Sequence, residues 1–393
     1  MAHRDPQQLV INKLIVQENN RLFPHDSGQL SVMLSTLNLM RVSPNTQRHR
    51  IELMNCTTNQ AMEHYTSQGM KVAALNFANA NTAGGGIELG SIAQEEALCR
   101  TSPMLYNSLK KFATPVLDTR HNIIRYKYNG WGEPNWDKHV IYSPKITFRR
   151  HDNTKKYNIL NQPYEAAIIT AAAPNMGKID NFDIRHHSVP KLGEDIRRVI
   201  QHIYYAPISS KSLIETGKTF GETWKPFRPR NSSEFSTPNV LILGAWGCGA
   251  FAPKRNKTAY VEFMAKQFVE LLKSVNKKYD IICFAIMNDR KPEGNYNVFK
   301  THLNRLGCRE VVPNLQHMFP VPVPVQAQFP IRPPVEQFEE TLPNDADGGI
   351  SGLLSMFGCN ISNKYLQHEN ISSDIKKQYL EYKLKYINLK SIT

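Results

Sequence analysis

Three apolar runs, KVAALNFANA (71–80), NVLILGAW (239–246) and YDIICFAIMN (279–288), constrain the fold more than any other feature of the chain. Each is apolar at consecutive rather than alternate positions, so each reads as a strand covered on both faces. Helical patterns lie between them. EDIRRVIQHIYYA (194–206) repeats Ile196, Val199, Ile200, Ile203 and Tyr204 at three- and four-residue steps, and KTAYVEFMAKQFVELLKSV (257–275) is strongly amphipathic. SIAQEEALCRTSPMLYNSLKKF (91–112) reads as a helix interrupted near Pro103, and NYNVFKTHLNRLG as a helix stopped by Gly307. KHVIYSPKITFRR (138–150) reads as a strand, a Ser-Pro turn and a second strand, and PYEAAIITAAAPN (163–175) as a strand closed by a turn. Strands alternating with helices predict an α/β layered domain with helices on both faces of the sheet.

The flanks differ in character. Residues 1–45 read as an N-terminal helical extension, and residues 46–318 as the α/β domain. Composition changes at 319, where FPVPVPVQAQFPIRPPVEQFEETLPNDADGGISG turns proline-rich and then acidic, the mark of an extended linker over 319–363. Residues 364–393 end in DIKKQYLEYKLKYINLK, a Lys/Tyr-rich helical tail with Tyr379, Tyr382, Tyr386 and Leu389 on one stripe. That stripe suits docking to a protein partner or self-association; it equally suits a short helix with no partner.

Six cysteines lie far apart, without a C-x-x-C pair or ligand-like histidine spacing, so neither structural zinc nor a disulfide framework is expected. The polar start MAHRDPQQLV is not a secretory signal, and no run approaches the roughly eighteen apolar residues of a membrane helix. The expected setting is soluble and intracellular, without membrane contact. Net charge is +14, from 48 Lys plus Arg against 34 Asp plus Glu, which attracts polyanions without choosing among them. No zinc-finger or RRM-type motif accompanies the charge, so sequence-specific nucleic-acid binding is not expected.

Two glycine-rich loops carry the chemistry. In NTAGGG, Gly84, Gly85 and Gly86 lack a Cβ, so the backbone can take positive φ and approach a ligand closely; an ordinary turn fits three glycines as well. Open α/β sheets bind ligands at the carboxyl ends of their strands, where this loop falls. Downstream, Ser91 and Gln94 form the S-x-x-Q pattern of a capping box, which puts Glu95 and Glu96 in the first turns of a helix. Adjacent helical residues do not face one another, so one glutamate can aim at a ligand while the other braces. The helix amino end favours the carboxylate, whereas burial and a neighbouring carboxylate favour the acid that general acid catalysis needs. A solvated acidic helix start is the plainer alternative. In VLILGAWGCGAFAPKRNKTAY, Gly244, Gly247 and Gly249 leave backbone N–H groups free beside a helix start, an arrangement suited to a diphosphate. The loop is neither G-x-G-x-x-G nor a G-K-[ST] nucleotide loop, which argues against a dehydrogenase or an ATPase.

LNFANANTAGGGIELGSIAQEEALCRTSPMLY resembles the signature segment of microbial-type poly(ADP-ribose) glycohydrolases, GGG followed by a spacer and QEE. LGAWGCGAF resembles that family's diphosphate loop, and HVIYSPKITFRR and IITAAAPN its intervening strands, over roughly residues 45–315. The resemblance implies a macrodomain-like three-layer α/β/α sandwich with a mixed central sheet. It implies hydrolysis of the ribose–ribose bond of poly(ADP-ribose), with ADP-ribose as product and neither metal nor cofactor. Carried onto this chain, Glu96 is the catalytic acid/base, Glu95 positions ribose hydroxyls and Gln94 completes the motif. Asn79, Gly84, Gly85 and Gly86 line the scissile ribose, and Gly247, Cys248, Gly249, Ala250 and Phe251 hold the diphosphate. Where the family continues GAFGNDP, this chain has GAFAPKRN: Pro253 removes a backbone donor, and Lys254 and Arg255 are expected to offset the loss by charge. Removal of mono-ADP-ribose from ADP-ribosylated proteins, or ADP-ribose binding without catalysis, are the alternatives. The tail segment YLEYKLKYINLK resembles the Tyr/Lys/Leu-rich C-terminal segments of giant-virus proteins, which would put the protein in a host cytoplasm.

Overall fold

The three apolar runs become β3 (Val72–Ala78), β8 (Val240–Leu243) and β9 (Ile281–Ala285), which lie side by side and parallel in a computed structural model. The structure describes residues 6–26, 32–35, 49–114, 125–126, 139–216 and 237–313. All of these fall in a compact unit, Met1–Phe319; the expected linker and C-terminal helix lie outside the described residues.

Five more strands complete the sheet: β1 (Val32–Ser35), β2 (Arg50–Met54), β6 (His139–Arg150), β7 (Ile159–Ala172) and β10 (Arg309–Val311). Their order is β1-β6-β7-β3-β8-β9-β2-β10. The strands from β7 to β10 in that order are parallel, while β6 runs against both β7 and β1, so the sheet is mixed as expected. β4 (Ala113–Thr114) and β5 (Arg125–Tyr126) form a separate ribbon.

Side chains on the two faces of the sheet belong to two different cores. Leu75, Leu241, Leu243 and Phe284 face α5 (Val189–Thr216), α6 (Lys257–Ser274) and α7 (Asn295–Leu303). Ala74, Ile168, Ile242 and Cys283 face the other layer, which holds α1 (Pro6–Leu22), α2 (Thr58–Thr66), α3 (Gln94–Thr101) and α4 (Pro103–Phe112). Burial on both faces is why these strands read as unbroken apolar runs, and each buried Leu, Ile or Phe contributes about 1.5–3 kcal/mol.

Two local expectations need correction. Residues 138–150 hold one strand, not two joined by a turn. The register shifts between Ser143 and Ile146, so Pro144, with no N–H to give, sits in a bulge that the strand passes through. The N-terminal region is also not helical throughout, because β1 pairs with β6 along the edge of the sheet.

α1 is fastened to the domain by buried polar groups. Arg150, fully buried, donates from Nε to Asn19 Oδ1 at 2.6 Å, from Nη1 to the Tyr157 carbonyl at 3.0 Å and from Nη2 to Glu18 Oε2 at 2.8 Å. Replacing Arg150 by Met strands all three acceptors. Because Glu18 keeps some solvent, the expected loss of stability is about 2–3 kcal/mol rather than the larger figure for a fully buried pair, read as a lower urea midpoint.

His49, just before β2, supplies a pH response. The Tyr204 hydroxyl donates to the Asn276 carbonyl at 2.6 Å, so the His49 Nε2–H must donate to that hydroxyl, also at 2.6 Å. Burial first, and nearby Lys277 second, lower the His49 pKa to about 4. The folded state thus binds its proton later than the unfolded chain does. The neutral imidazole's contribution is complete above about pH 6.5 and is lost as pH falls from there to 4, amounting to about 2–3 kcal/mol. Urea titrations across that window should show the decline, and His49→Gln should flatten it.

Candidate active site

β3 and β8 are neighbours, yet the chain leaves β3 towards β6 and β7 on one side and leaves β8 towards β9 on the other. This is the switch point of an open parallel sheet, where strand-end loops diverge and a crevice opens. Both glycine-rich loops leave from this edge.

The first loop is built around the two glutamates. α3 starts at Gln94 with Ala93 as its cap and no side-chain capping bond, so Ser91 does not cap it as expected. The Gln94 amide instead replaces a missing strand. β8 pairs with β3 only as far as Ala74, and beyond that point Gln94 Oε1 accepts from Phe77 N at 2.8 Å while its Nε2 donates to the Leu75 carbonyl at 2.8 Å. A further bond to Thr58 Oγ1, 3.1 Å, occupies the other amide hydrogen. Gln94 therefore acts as a backbone clamp that fixes where α3 begins.

With Gln94 anchored, Glu95 and Glu96 occupy the first turn of α3, as expected, and both are buried. Glu95 Oε2 accepts from Asn79 N at 2.7 Å, and Oε1 accepts from Gly84 N at 3.2 Å and from Asn76 Nδ2 at 3.5 Å. Glu96 Oε1 accepts from Gly86 N at 2.8 Å. Its Oε2 makes no hydrogen bond among the described residues.

The three glycines serve these carboxylates. Gly84 and Gly85 take φ of 72° and 57°, and a Cβ on Gly85 would stand 2.5 Å from Glu96 Oε1. Gly84 lies against the Tyr106 ring, whose hydroxyl donates to Glu88 Oε1 at 2.8 Å. The amides of residues 84–87 all donate within the loop or to Glu95 and Glu96. Asn79 Oδ1 accepts from Asn81 N and Thr82 N at 2.9 and 3.2 Å, which leaves its Nδ2 facing no partner among the described residues.

The second loop is the reverse: its amides are open. Gly247, Gly249, Ala250 and Phe251 have N–H groups with no acceptor among the described residues. Gly247 has φ of 77° and packs its Cα toward Ala173, so a side chain would be crowded there. Gly249 and Ala250 are exposed, and Phe251 is half-buried against the core of α5, α6 and α7. Cys248 is different. Its N–H donates to the Ala245 carbonyl at 3.1 Å, and its buried thiol, pushed up to about 12 by burial, is inert. Pro253 is buried beside Ala252, and Arg255 pairs with Asp180 at 3.7 Å, so Arg255 already has a carboxylate to neutralise.

Three positions in the site escaped the sequence. Asn76 is fully buried in β3 and holds both Glu95 and, at 3.2 Å, Thr170 Oγ1. A lone asparagine within VAALNFA was the available signal. Arg100, also buried, reaches the Ser91 carbonyl and the Tyr157 hydroxyl, closing the far end of the loop. Gly90, at φ of 80°, lets α1 approach: a Cβ there would collide with the Leu9 carbonyl, and Asn12 Nδ2 donates to the Gly90 carbonyl at 2.8 Å.

The spacing of the Gly84–Gly86 run and the two buried glutamates at this edge can be compared with known proteins. Residues 11–151 match the family model of the microbial-type PARG catalytic domain. That stretch includes α1 from Ile11 onward, the glycine loop, the QEE helix and all of β6. The chain is similar to the crystal structure of poly(ADP-ribose) glycohydrolase (PARG) from Thermomonospora curvata, with TM-score 0.52 and 23% identity over 74% of this chain and 98% of that one. Further similar structures are the T. curvata enzyme bound to the inhibitor ADP-HPD (TM-score 0.49, 25% identity, 74% and 98% covered) and PARG from Deinococcus radiodurans in complex with ADP-ribose (TM-score 0.49, 23%, 72% and 97%). No curated protein sequence matches the chain. The first likeness establishes a shared PARG fold, the three-layer macrodomain-like sandwich.

Proposed function

We propose that the chain is a poly(ADP-ribose) glycohydrolase that cleaves ribose–ribose O-glycosidic bonds and releases ADP-ribose. The observation that carries this is the state of Glu96: a buried carboxyl group with one oxygen fixed on Gly86 N and the other without a hydrogen bond among the described residues, at a sheet edge that also presents a row of open amides. The PARG family match over residues 11–151 supports it.

The chemistry follows. Ribosyl transfer passes through an oxocarbenium-like state at C1. Glu96, anchored through Oε1, gives its proton from Oε2 to the departing 2′-oxygen and then, as carboxylate, takes a proton from the incoming water. Glu95, bound by three donors, holds the loop and the sugar's hydroxyl side in place. Asn79 contributes its open Nδ2 to the ribose. The amides of Gly247, Gly249, Ala250 and Phe251 cradle the diphosphate, with Phe251 beside the adenosine ribose; Cys248 contributes shape alone. Gln94 acts by holding β3, not by touching substrate. The scheme requires no metal.

Catalysis is favoured over binding alone because a binder has no use for a buried carboxyl with an open oxygen. Incubating the full chain with labelled poly(ADP-ribose) should release ADP-ribose; retention of polymer without release would make the protein a reader, and release only from singly modified proteins would make it a mono-ADP-ribosyl hydrolase. The catalytic unit corresponds to residues 46–318 with α1 docked on it, and the tail over 364–393 is a docking or self-association segment. Five described cysteines are free thiols, which fits a reducing, intracellular setting. Among the described residues no helix is long and apolar enough to cross a membrane.

A further inference from the structure

The segment that departs from the family pattern, residues 252–255, is stitched together with Asn256 to the turn after β7. Arg255 forms an isolated bridge with Asn181, and its N–H donates to the Asp180 carbonyl at 2.9 Å. Asn256, at φ of 56°, donates from Nδ2 to Asn181 Oδ1 at 2.8 Å and to the Phe182 carbonyl at 3.3 Å. Met176 N donates to the Phe251 carbonyl at 2.9 Å, which ties the same turn to the diphosphate loop itself. Two stretches distant in sequence therefore form one ledge beside the open amides.

The ledge is cationic. It exposes Lys254, Arg255, Lys257, Arg185, His186 and His187, against Asp180 and Asp183. Both carboxylates are already engaged, Asp180 by Arg255 at 3.7 Å and Asp183 by Arg185 at 3.2 Å. Lys254 and Lys257 have no ion-pair partner among the described residues. The imidazoles of His186 and His187 lie 4.2 Å apart, centre to centre, at the exposed tip of the turn. Such a surface leaves unbalanced positive charge next to the place where the first diphosphate would sit.

We propose that this ledge binds the diphosphate of a neighbouring ADP-ribose unit, so that the protein grips a polymer through two successive diphosphates rather than one. The inference rests on the glycohydrolase reading for the first of them. It gives the substitution of G-N-D-P by A-P-K-R a purpose: a backbone donor at Pro253 is exchanged for side-chain charge directed at the chain beyond the site. A polymer then binds more tightly than ADP-ribose, and the difference is sensitive to salt, because each phosphate contact releases counterions.

Binding, measured independently of turnover, tests the ledge. Kd for size-fractionated poly(ADP-ribose) and for free ADP-ribose is determined by filter retention and calorimetry on the full chain and on Arg185→Ala/His187→Ala/Lys257→Ala. The wild type should hold long chains more tightly than ADP-ribose. The variant should lose roughly 10–25-fold in polymer affinity at about 0.1 M salt, and its slope of log Kd against log salt should fall by about 1.4 for the two permanent cations removed. Affinity for ADP-ribose should not move. Equal loss for ADP-ribose and polymer, or no loss for either, overturns the proposal. So does displacement of the polymer by an RNA homopolymer of matching length as readily as by the polymer itself. A wild type that cleaves nothing yet still prefers long chains would keep the ledge and reject the glycohydrolase.

Discussion

Glu96→Gln is expected to lower release of ADP-ribose from the polymer by about 10²–10⁴-fold with little change in affinity for ADP-ribose. The substitution is nearly isosteric, and the glutamine carbonyl oxygen can still accept the 2.8 Å bond from Gly86 N, so the glycine loop keeps its anchor. What disappears is the transferable proton at the second oxygen. Since that proton matters only while the 2′-oxygen departs, the loss should fall on kcat and leave KM close to its starting value. Single-turnover release of labelled ADP-ribose, with circular dichroism to verify folding, reads both parts. A variant that turns over like wild type would remove Glu96 from its assigned role. A variant that unfolds would show instead that the glycine loop needs the carboxylate itself, and not only an acceptor for Gly86 N. The companion Glu95→Gln should behave differently. Its carboxylate accepts from Asn79 N, Gly84 N and Asn76 Nδ2, and losing the charge weakens all three, so folding stability and turnover should fall together.

Much of the architecture was legible because a strand buried on both faces has little choice of composition. VAALNFA, VLIL and IICFA each lie between two helical layers, and none could carry the polar alternation of a one-sided sheet. Pairing was far less legible. Pro144 suggested a turn, yet an extra residue in the strand absorbs a missing N–H more cheaply than a reversal of the chain does. The two glutamates were legible from the motif, but the jobs of their neighbours were not. Gln94 looks like half of a capping box and the glycines look like a ligand-binding loop. Their partners within the fold are backbone groups 17 and 19 residues earlier for Gln94, and the carboxylates 10 and 11 residues later for Gly86 and Gly84. A pattern read locally could not weigh those contacts against a cap. The reason lies in a difference in length that the fold reveals: β8 has four residues and β3 has seven, so the outer half of β3 needs another partner.

Gly85 carries the second large expected effect, and it separates two explanations of why the loop contains glycine. Alanine at φ of 57° is strained by about 1–2 kcal/mol whatever surrounds it. At this position it also places a methyl group 2.5 Å from Glu96 Oε1, 3.0 Å from its Cδ and 3.3 Å from Glu95 Oε2. The carboxylates are not loose chain ends, because the crowded oxygens, Glu96 Oε1 and Glu95 Oε2, are already held by the backbone amides of Gly86 and Asn79. Either Glu96 moves or the loop does. A displacement near 1 Å at a reacting group commonly lowers turnover by about 10²-fold, so Gly85→Ala should approach inactivity while losing only about 1–3 kcal/mol of stability. Gly307→Ala supplies the control. Its φ of 72° imposes similar strain, but nothing lies within 4 Å of the added methyl, and it sits at the end of the α7 segment rather than at the site. That variant should lose comparable stability and keep its turnover. If the two variants matched in turnover as well as in urea midpoint, positive φ alone would account for Gly85. If only Gly85→Ala loses activity, the absent side chain is there to make room for the catalytic carboxyl group.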